Sequence, residues 1–529
     1  MDLPTSIRPA LAPARGSAGG LRDLLWPFTL AAVTVAGLIA WQGSAGFDLG
    51  DEGYLWYGVK QVLQGAVPLR DFMAYEPGRY YWSAALLWLW GDDGIMSLRY
   101  AVAIFQAVGL LLALALIARA GRPRSLLFLV PCALALAAWM LPRHKLFDIS
   151  ISILLVAALA YLAANPTLRR CFLAGLCVGI SATFGRNHGF YGAVAGVGLL
   201  LWLRIRHSGN PSLFRSAASW AAGVCAGFAP VLLMILLVPG YATAFWDSIR
   251  FLFELNATNI PVPVPWPWRV DVAALPLGLA TTLVMTGLGF IAIIAFGVLA
   301  LAWVIRQRLT GRPVSPVVAA AAFLALPYAH FAFSRADINH LAQGIFPTLI
   351  GGLALIAATP SRAKWALVAV VSVASFWTTS ASHPGWQCRA DGACVPVAIS
   401  GDELRVNQRT ADNIALLRSL AERYAAPEQS FLAAPFWPGA YPLLDRRAPV
   451  WEIYPLFPRS PAFEAAEIRR LEAAAPAFAV IMDVPLDGRE EMRFRNTHPL
   501  LQQYIETHFD QTGDSADPTL LTYRAKAPD

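Results

Sequence analysis

Eleven apolar stretches set the pattern of the chain, near residues 24–41, 100–118, 125–142, 149–164, 171–185, 189–203, 216–238, 273–304, 314–333, 341–359 and 365–380. Each is a continuous apolar run rather than a strand-like alternation, which predicts a polytopic α-helical membrane protein with about 11 transmembrane helices. Several runs hold only 15 or 16 clean residues. About 20 are needed to cross a bilayer untilted, so some helices are expected to extend into the loops. Beyond residue 380 the pattern changes. Helical periodicity over 407–424, a short strand candidate over 430–436 and a Ser-Pro-opened helix over 460–474 come first. A buried strand over 477–484, a helix over 499–509 and a last strand over 520–523 follow, predicting a compact α/β domain over 381–529. Residues 82–90 are apolar but too short to span, and are expected to lie along the membrane. Residues 261–268 alternate Pro with Val and Trp, which excludes a helix, and Trp266 and Trp268 suit a membrane interface.

Composition agrees with a chain in two parts. Of 529 residues, 57% are hydrophobic and only 14% charged, and the mean hydropathy is +0.51. Soluble domains carry about 25% charged residues, so a soluble enzyme, a disordered chain and a disulfide scaffold are excluded. Residues 1–380 hold 26 Lys+Arg and 14 Asp+Glu, whereas 381–529 hold 15 and 20. The overall excess of +7 is therefore a property of the membrane part and not a sign of nucleic-acid binding. The first 23 residues, rich in Pro, Ala and Gly with Arg8, Arg15 and Arg22, read as a cytoplasmic segment. They could instead open a signal peptide cleaved near Gly43, Ser44 and Ala45. The length of the apolar run and the spans behind it favour an uncleaved first helix. With the N-terminus inside, alternate connections carry 16 basic residues, Arg119, Arg122, Arg124, Arg306 and Lys364 among them, against the acidic Asp2 and Asp23. The opposite side carries ten basic and twelve acidic residues. This bias follows the positive-inside rule and puts the C-terminal domain outside the cytoplasm. There Cys388 and Cys394 can close a small disulfide loop in an oxidising compartment, while Cys132, Cys171, Cys177 and Cys225 sit in apolar segments as small hydrophobes.

Candidate chemistry gathers on that outer side. The first outer loop, 43–99, carries Asp48, Asp51 and Glu52 followed by Tyr54, Trp56 and Tyr57, then Tyr75, Glu76, Pro77, Arg79, Tyr81 and Trp82. A hydrated loop at a helix end is the plain reading of such charges, but the density of aromatic side chains also suits a binding site. Later outer connections add Arg143, Lys145 and Asp148, then Arg186 and His188, then Asp247, Arg250 and Glu254, then Arg335 and His340. Each taken alone is a helix terminus. Together they offer carboxylates for general base chemistry and cations for a phosphate, and a phosphate at a membrane surface implies a lipid-linked donor.

These residues resemble the GT-C superfamily of membrane glycosyltransferases. That group includes lipid A aminoarabinose transferases, protein O-mannosyltransferases and bacterial enzymes that use polyprenyl-phosphate sugars. Asp51-Glu52 with Tyr54 and Tyr57 looks like the acidic motif after the first helix of that group. Tyr75-Glu76-Pro77 with Tyr81-Trp82 resembles its Glu-Lys-Pro and Tyr-Trp stretch. Arg143 with Asp148 is similar to its second acidic site, and 335–340 leading into Phe346-Pro347 to the outer entrance of a late helix. The sequence departs from the group where Pro77 directly follows Glu76, leaving Arg79 as the nearest cation, and where Arg186 and His188 replace a common Lys.

The resemblance implies a GT-C-like fold and a single inverting displacement, in which an outer acceptor hydroxyl on a lipid, glycan or protein attacks a polyprenyl-phosphate sugar. It implies Asp51 as general base, Glu52 or Asp48 as the neighbour that orients it, and Asp148 as a second acidic group. Arg143, Lys145, Arg250, Arg335 and His340 are the implied phosphate contacts, and Tyr54, Glu76, Arg79, Arg186 and His188 further substrate contacts. Some relatives use a divalent metal such as Mg or Mn, for which Asp51, Asp148 and Asp247 are the candidates, although their spacing does not demand one. The expected location is a bacterial inner membrane, in keeping with Ala- and Arg-rich, Lys-poor usage. The alternative is a transporter or flippase of a lipid-linked sugar, which would usually place ionisable groups deep in broken helices and show repeated halves. No repeat is visible here. A scaffold binding cell-wall components would not need converging carboxylates and cations.

Overall fold

The computed structural model describes residues 21–121, 126–206, 211–255, 259–389 and 392–526. The N-terminal segment up to residue 20, with Arg8 and Arg15, and the residues Arg122 and Arg124 lie outside the described residues. The protein is a mostly helical membrane protein with a C-terminal α/β region. In chain order its first helices are α1 (Leu21–Gln42), α2 (Asp51–Leu63), α3 (Gly78–Trp90), α4 (Ile95–Ala120), α5 (Leu126–Ala138), α6 (Leu146–Ala164), α7 (Leu168–Phe184) and α8 (Arg186–Arg204). They are followed by α9 (Leu213–Leu237), α10 (Tyr241–Leu255), α11 (Leu277–Leu309), α12 (Pro316–Ser334), α13 (Ile338–Gly344), α14 (Phe346–Ala358) and α15 (Ala363–Thr379).

Among the described residues, seven helices are long and apolar enough to cross a membrane, or eight if α13 and α14, bent by 56°, are one span. The bend has a local cause: Ile345 separates the two helices and Pro347 opens the second, where a proline ring is tolerated and its missing N–H is not needed. The three remaining expected spans fall on α5, α7 and α8. At 13 residues α5 reaches only about 20 Å, short of a ~30 Å hydrocarbon core.

The chain divides into two compact units, Met1–Trp41 with Val102–Ala242 and Trp246–His383, and Gln42–Ala101 with Thr243–Phe245 and Pro384–Asp529. In the first unit α12 is buried on every side over residues 317–322, four of which are Ala, and it packs against α6, α8, α11 and α14. The pair α7–α9 meets backbone to backbone. A Cβ on Gly175 would lie 2.0 Å from the Trp220 carbonyl oxygen, and one on Gly223 2.0 Å from that of Phe172. Gly179 and Gly227 stand one turn further along, so two Gly-x-x-x-Gly faces interlock as small residues do between helices in lipid.

In the second unit the loop after α1 folds together with the C-terminal residues. Strands β1 (Val395–Ile399) and β2 (Asp402–Val406) form a hairpin whose two-residue turn, Ser400-Gly401, has φ of 46° and 86°, as a primed turn requires. Gly46 N–H donates to the Arg405 carbonyl and Arg405 N–H to that of Ser44, each at 2.8 Å, tying the loop to β2. A second sheet has the order β3-β4-β6-β5, from β3 (Leu432–Ala434), β4 (Phe478–Met482), β5 (Phe509–Thr512) and β6 (Leu520–Ala525). Only the β3–β4 pair is parallel. Helices Pro461–Ala474 and Pro499–His508 cover it, closing a core around Leu471, Ile481, Phe494 and Ile505. Helix α2 and the segment after it pack on this region too: a Cβ on Gly53 would lie 2.3 Å from Gly439 Cα, and the Trp451 indole donates to the Leu69 carbonyl at 3.1 Å.

Candidate active site

The carboxylates of the first loop are separated by the geometry of one helix start. Asp48 precedes α2, and its two oxygens accept the N–H groups of Gly50 at 2.8 Å and Asp51 at 3.1 Å. It thereby satisfies donors that the first helical turn leaves unbonded and fixes where α2 begins. Asp51 is the first residue of α2 and half-buried, and its carboxylate approaches that of Asp48 within 4.8 Å. Asp48 is exposed as a residue, but the groups crowded around its carboxyl desolvate it. That crowding, and then the Asp51 charge, push its pKa up to about 6, against the pull of the two N–H groups. Glu52, one residue on, is turned about 100° around the helix and buried. Both its oxygens are held by Arg99, at 2.8 and 2.7 Å, and Arg99 also donates to the carbonyls of Gly43 and Gly46 at 2.7 Å each.

Tyr54 lies one turn further, its ring edge-on to Tyr75 at 4.9 Å and tilted against Tyr454 at 5.7 Å. Burial raises its pKa well above the usual tyrosine value, so the phenol stays protonated. Glu76 is buried, and the buried Arg79 guanidinium stacks over the Tyr75 ring at 4.6 Å. Asp48, with Phe47, Thr410, Asn413, Trp437 and Tyr454, lines an open recess of about 220 Å³ within this unit.

The other candidates lie in the helical unit. Arg143 and Lys145 share one short 3₁₀ turn ahead of α6, and Asp148 stands in the first turn of α6. His188 is fully buried, with Nε2 2.9 Å from Asp148 Oδ1 and Nδ1 2.8 Å from the Tyr328 hydroxyl. In the neutral Nε2–H tautomer the ring donates to Asp148 and accepts from Tyr328. Both ring nitrogens are thus engaged, and His188 is a link in a buried chain from Asp148 to Tyr328. Arg186 donates to the Ser248 hydroxyl at 2.9 Å. Arg250, 61% exposed in its side chain, pairs with Asp247 and Glu254 along the surface of α10. Arg335 donates to Asp337 at 2.8 Å and to the Ile260 carbonyl at 3.2 Å. His340 Nδ1 lies 2.9 Å from the same Asp337, which also caps α13, and its Nε2 2.7 Å from Asn259. In the second unit Cys388 and Cys394 are joined by a disulfide.

Sequence reasoning did not single out Arg99, Tyr328, Asp337, Asn259 or Tyr454. A charge at the mouth of an apolar run and a Tyr inside one, at 99 and 328, were the available signals.

No protein-family model matches the chain, and no curated protein matches it in sequence. Among solved structures it is similar to ArnT from Cupriavidus metallidurans bound to undecaprenyl phosphate, with a TM-score of 0.52 and 14% identity over 95% of this chain and 98% of that one. The apo state of the same protein gives 0.50 and 13%, covering 94% and 97%. The oligosaccharyltransferase of Archaeoglobus fulgidus gives 0.46 and 13%, covering 92% and 73%. At such identity the likeness establishes fold alone: this chain shares the fold of that ArnT over nearly the whole of both chains.

Proposed function

We propose that the chain is a glycosyltransferase that moves a sugar from a polyprenyl-phosphate-linked donor to an acceptor hydroxyl by a single inverting displacement. The observation that carries this reading is an aspartate pair at the start of α2, Asp48 orienting Asp51, in a chain with the fold of an ArnT that was solved bound to undecaprenyl phosphate. Asp51, which leads the acidic motif as the first residue of α2 and has its carboxylate within 4.8 Å of that of Asp48, is assigned the general base. Asp48 aims Asp51 by holding its N–H. Arg143 and Lys145 are the leading contacts for the donor phosphate, which gathers negative charge as the sugar leaves and needs cations near it. Asp148, held by His188, orients this region. Arg250, paired along α10, and Arg335 and His340, both on Asp337, are secondary candidates.

Asp48 and Asp51 are hard oxygen donors of the kind that hold Mg or Mn, and such an ion, when bound, would neutralise charge on the phosphate. The protein sits in a bacterial inner membrane with its N-terminus cytoplasmic and its C-terminal domain extracytoplasmic, supported by the charge bias of the loops. The test is mass spectrometry of lipids and envelope glycans from cells with wild-type chain or Asp51→Asn. Loss of one glycoform with accumulation of a polyprenyl-phosphate sugar is expected. An unchanged profile, with the variant folded and expressed, refutes the transferase and turns the assay to flipping of a lipid-linked sugar.

A further inference from the structure

The recess beside Asp48 has a chemistry of its own. It is built entirely within the second unit, from the residues leading into α2 and from the C-terminal region. Thr410 and Asn413 project into it from the helix Gln408–Tyr424, three residues apart and so on one face. Within the described residues neither the Thr410 hydroxyl nor the Asn413 amide forms a side-chain hydrogen bond to the rest of the chain, although Asn407 caps the same turn by accepting the Thr410 N–H. Phe436, Trp437 and Tyr454 supply aromatic walls, and Tyr454 is backed by the ring of Tyr54. The walls are close at Gly50, where a Cβ would come within 3.2 Å of the Tyr454 hydroxyl and the Phe436 carbonyl.

We propose that this recess binds the acceptor, and that the acceptor is a neutral, hydroxyl-rich sugar ring. The proposal rests on the transferase reading above and narrows its acceptor from lipid, glycan or protein to a glycan. Three observations carry it. The volume, about 220 Å³, falls below the roughly 300–1,000 Å³ of drug-sized sites, which suits one ring and not a lipid tail or a folded peptide. The lining pairs aromatic faces, against which the C–H face of a sugar packs, with a hydroxyl, an amide and a carboxylate that match its hydroxyl groups. Among the described residues that line it the one charged side chain is Asp48, an anion, so with no divalent cation bound the recess disfavours a phosphate. Position agrees with this role. Asp48 lines the recess and also accepts the Asp51 N–H, and the two carboxylates lie within 4.8 Å, so a ring held there presents a hydroxyl beside the base.

The test uses the full-length chain in lipid nanodiscs in the presence of EDTA, with saturation-transfer NMR against methyl glycopyranosides and their anionic counterparts, methyl glucuronide and glucose 6-phosphate. A neutral glycoside is expected to saturate and the anionic sugars to fail. Thr410→Val/Asn413→Ala, which removes two hydrogen-bonding groups, should weaken binding roughly tenfold or more. Asn413→Gln, which keeps the amide, should retain most of it, and a melting curve shows that each variant is folded. Anionic sugars binding as well as neutral ones, no neutral glycoside binding, or a double variant that binds as the wild type does, each overturns the proposal. In cells the double variant should lose the same glycoform as Asp51→Asn. If Asp51→Asn loses it and the double variant keeps it, the recess is refuted and the transferase stands. If Asp51→Asn changes nothing, the transferase reading itself falls.

Discussion

The Arg99–Glu52 pair offers the sharpest test of how the first loop is held. Arg99 is 2% exposed and Glu52 7%, and the guanidinium makes two bonds to the carboxylate and one each to the Gly43 and Gly46 carbonyls. Arg99→Leu deprives a buried carboxylate of both these bonds, and removing one partner of such a pair costs about 3–5 kcal/mol. For a domain of 150–250 residues each kcal/mol is worth about 2–4 °C of melting temperature, so a fall of about 6–20 °C is expected. Intrinsic tryptophan fluorescence of the detergent-solubilised protein, melted with and without the substitution, reads this directly. Glu52→Leu/Arg99→Leu should recover a large part of the loss, because two apolar side chains leave no buried charge behind. Transfer should fall in the single variant along with stability, since Gly43 and Gly46 lead into Asp48. A melting temperature within about 3 °C of wild type for Arg99→Leu would refute the structural argument. So would a Glu52→Gln variant that is fully stable yet inactive, for Glu52 would then act on the reacting atoms.

Three further outcomes follow from other regions. Gly179→Leu places a Cβ about where the Val224 carbonyl oxygen approaches, at 2.2 Å, and should cost at least the ~1–3 kcal/mol of overpacking and reduce the monodisperse fraction in detergent. Gly37→Leu, with nothing within 4 Å, should be neutral, and equal behaviour of the two would dismiss the close α7–α9 contact. Burial, and behind it the Glu452 charge, raises the Glu467 carboxyl above its ordinary value of 4.5, against the N–H groups of Glu452 and Trp451 and the charge of Arg470. The folded state therefore keeps this proton to higher pH than the unfolded chain does, and stability falls as pH rises from about 4.5 through the raised pKa. The melting temperature of Glu467→Gln should accordingly gain on wild type between pH 4.5 and 7, and a shrinking gap would contradict the shift. Finally, unfolded but unreduced protein should label at Cys132, Cys171, Cys177 and Cys225 only, with Cys388 and Cys394 appearing after reduction. Opening that loop should cost about 2 kcal/mol.

How far the sequence discloses this protein depends on the range of each interaction. Apolar runs are local, and the helices fall where the runs do: 171–185 becomes α7 and 314–333 becomes α12. Hydropathy has no direction, however, so 341–359 reads as one span while Pro347 breaks it into α13 and α14. The hairpin β1–β2 lies in a stretch of mixed polarity whose one signal is Ser400-Gly401, and its pairing is made visible only by the fold. The shift in charge near residue 380 marks a compositional border, yet residues 42–101 join the C-terminal region in one unit, because packing follows complementary surfaces and not average composition. The same distinction runs through the site. Asp48 and Asp51 are legible as a pair because three residues of backbone bring them together. Asp51 and Glu52 look equivalent in sequence, but adjacent helical positions point about 100° apart, and Arg99, 47 residues on, engages only the second. His188 reads as a cation at a helix end until Asp148, 40 residues before it, and Tyr328, 140 residues after it, take both ring nitrogens. A motif therefore names which residue types are available, and the long-range partners decide how each of them is held.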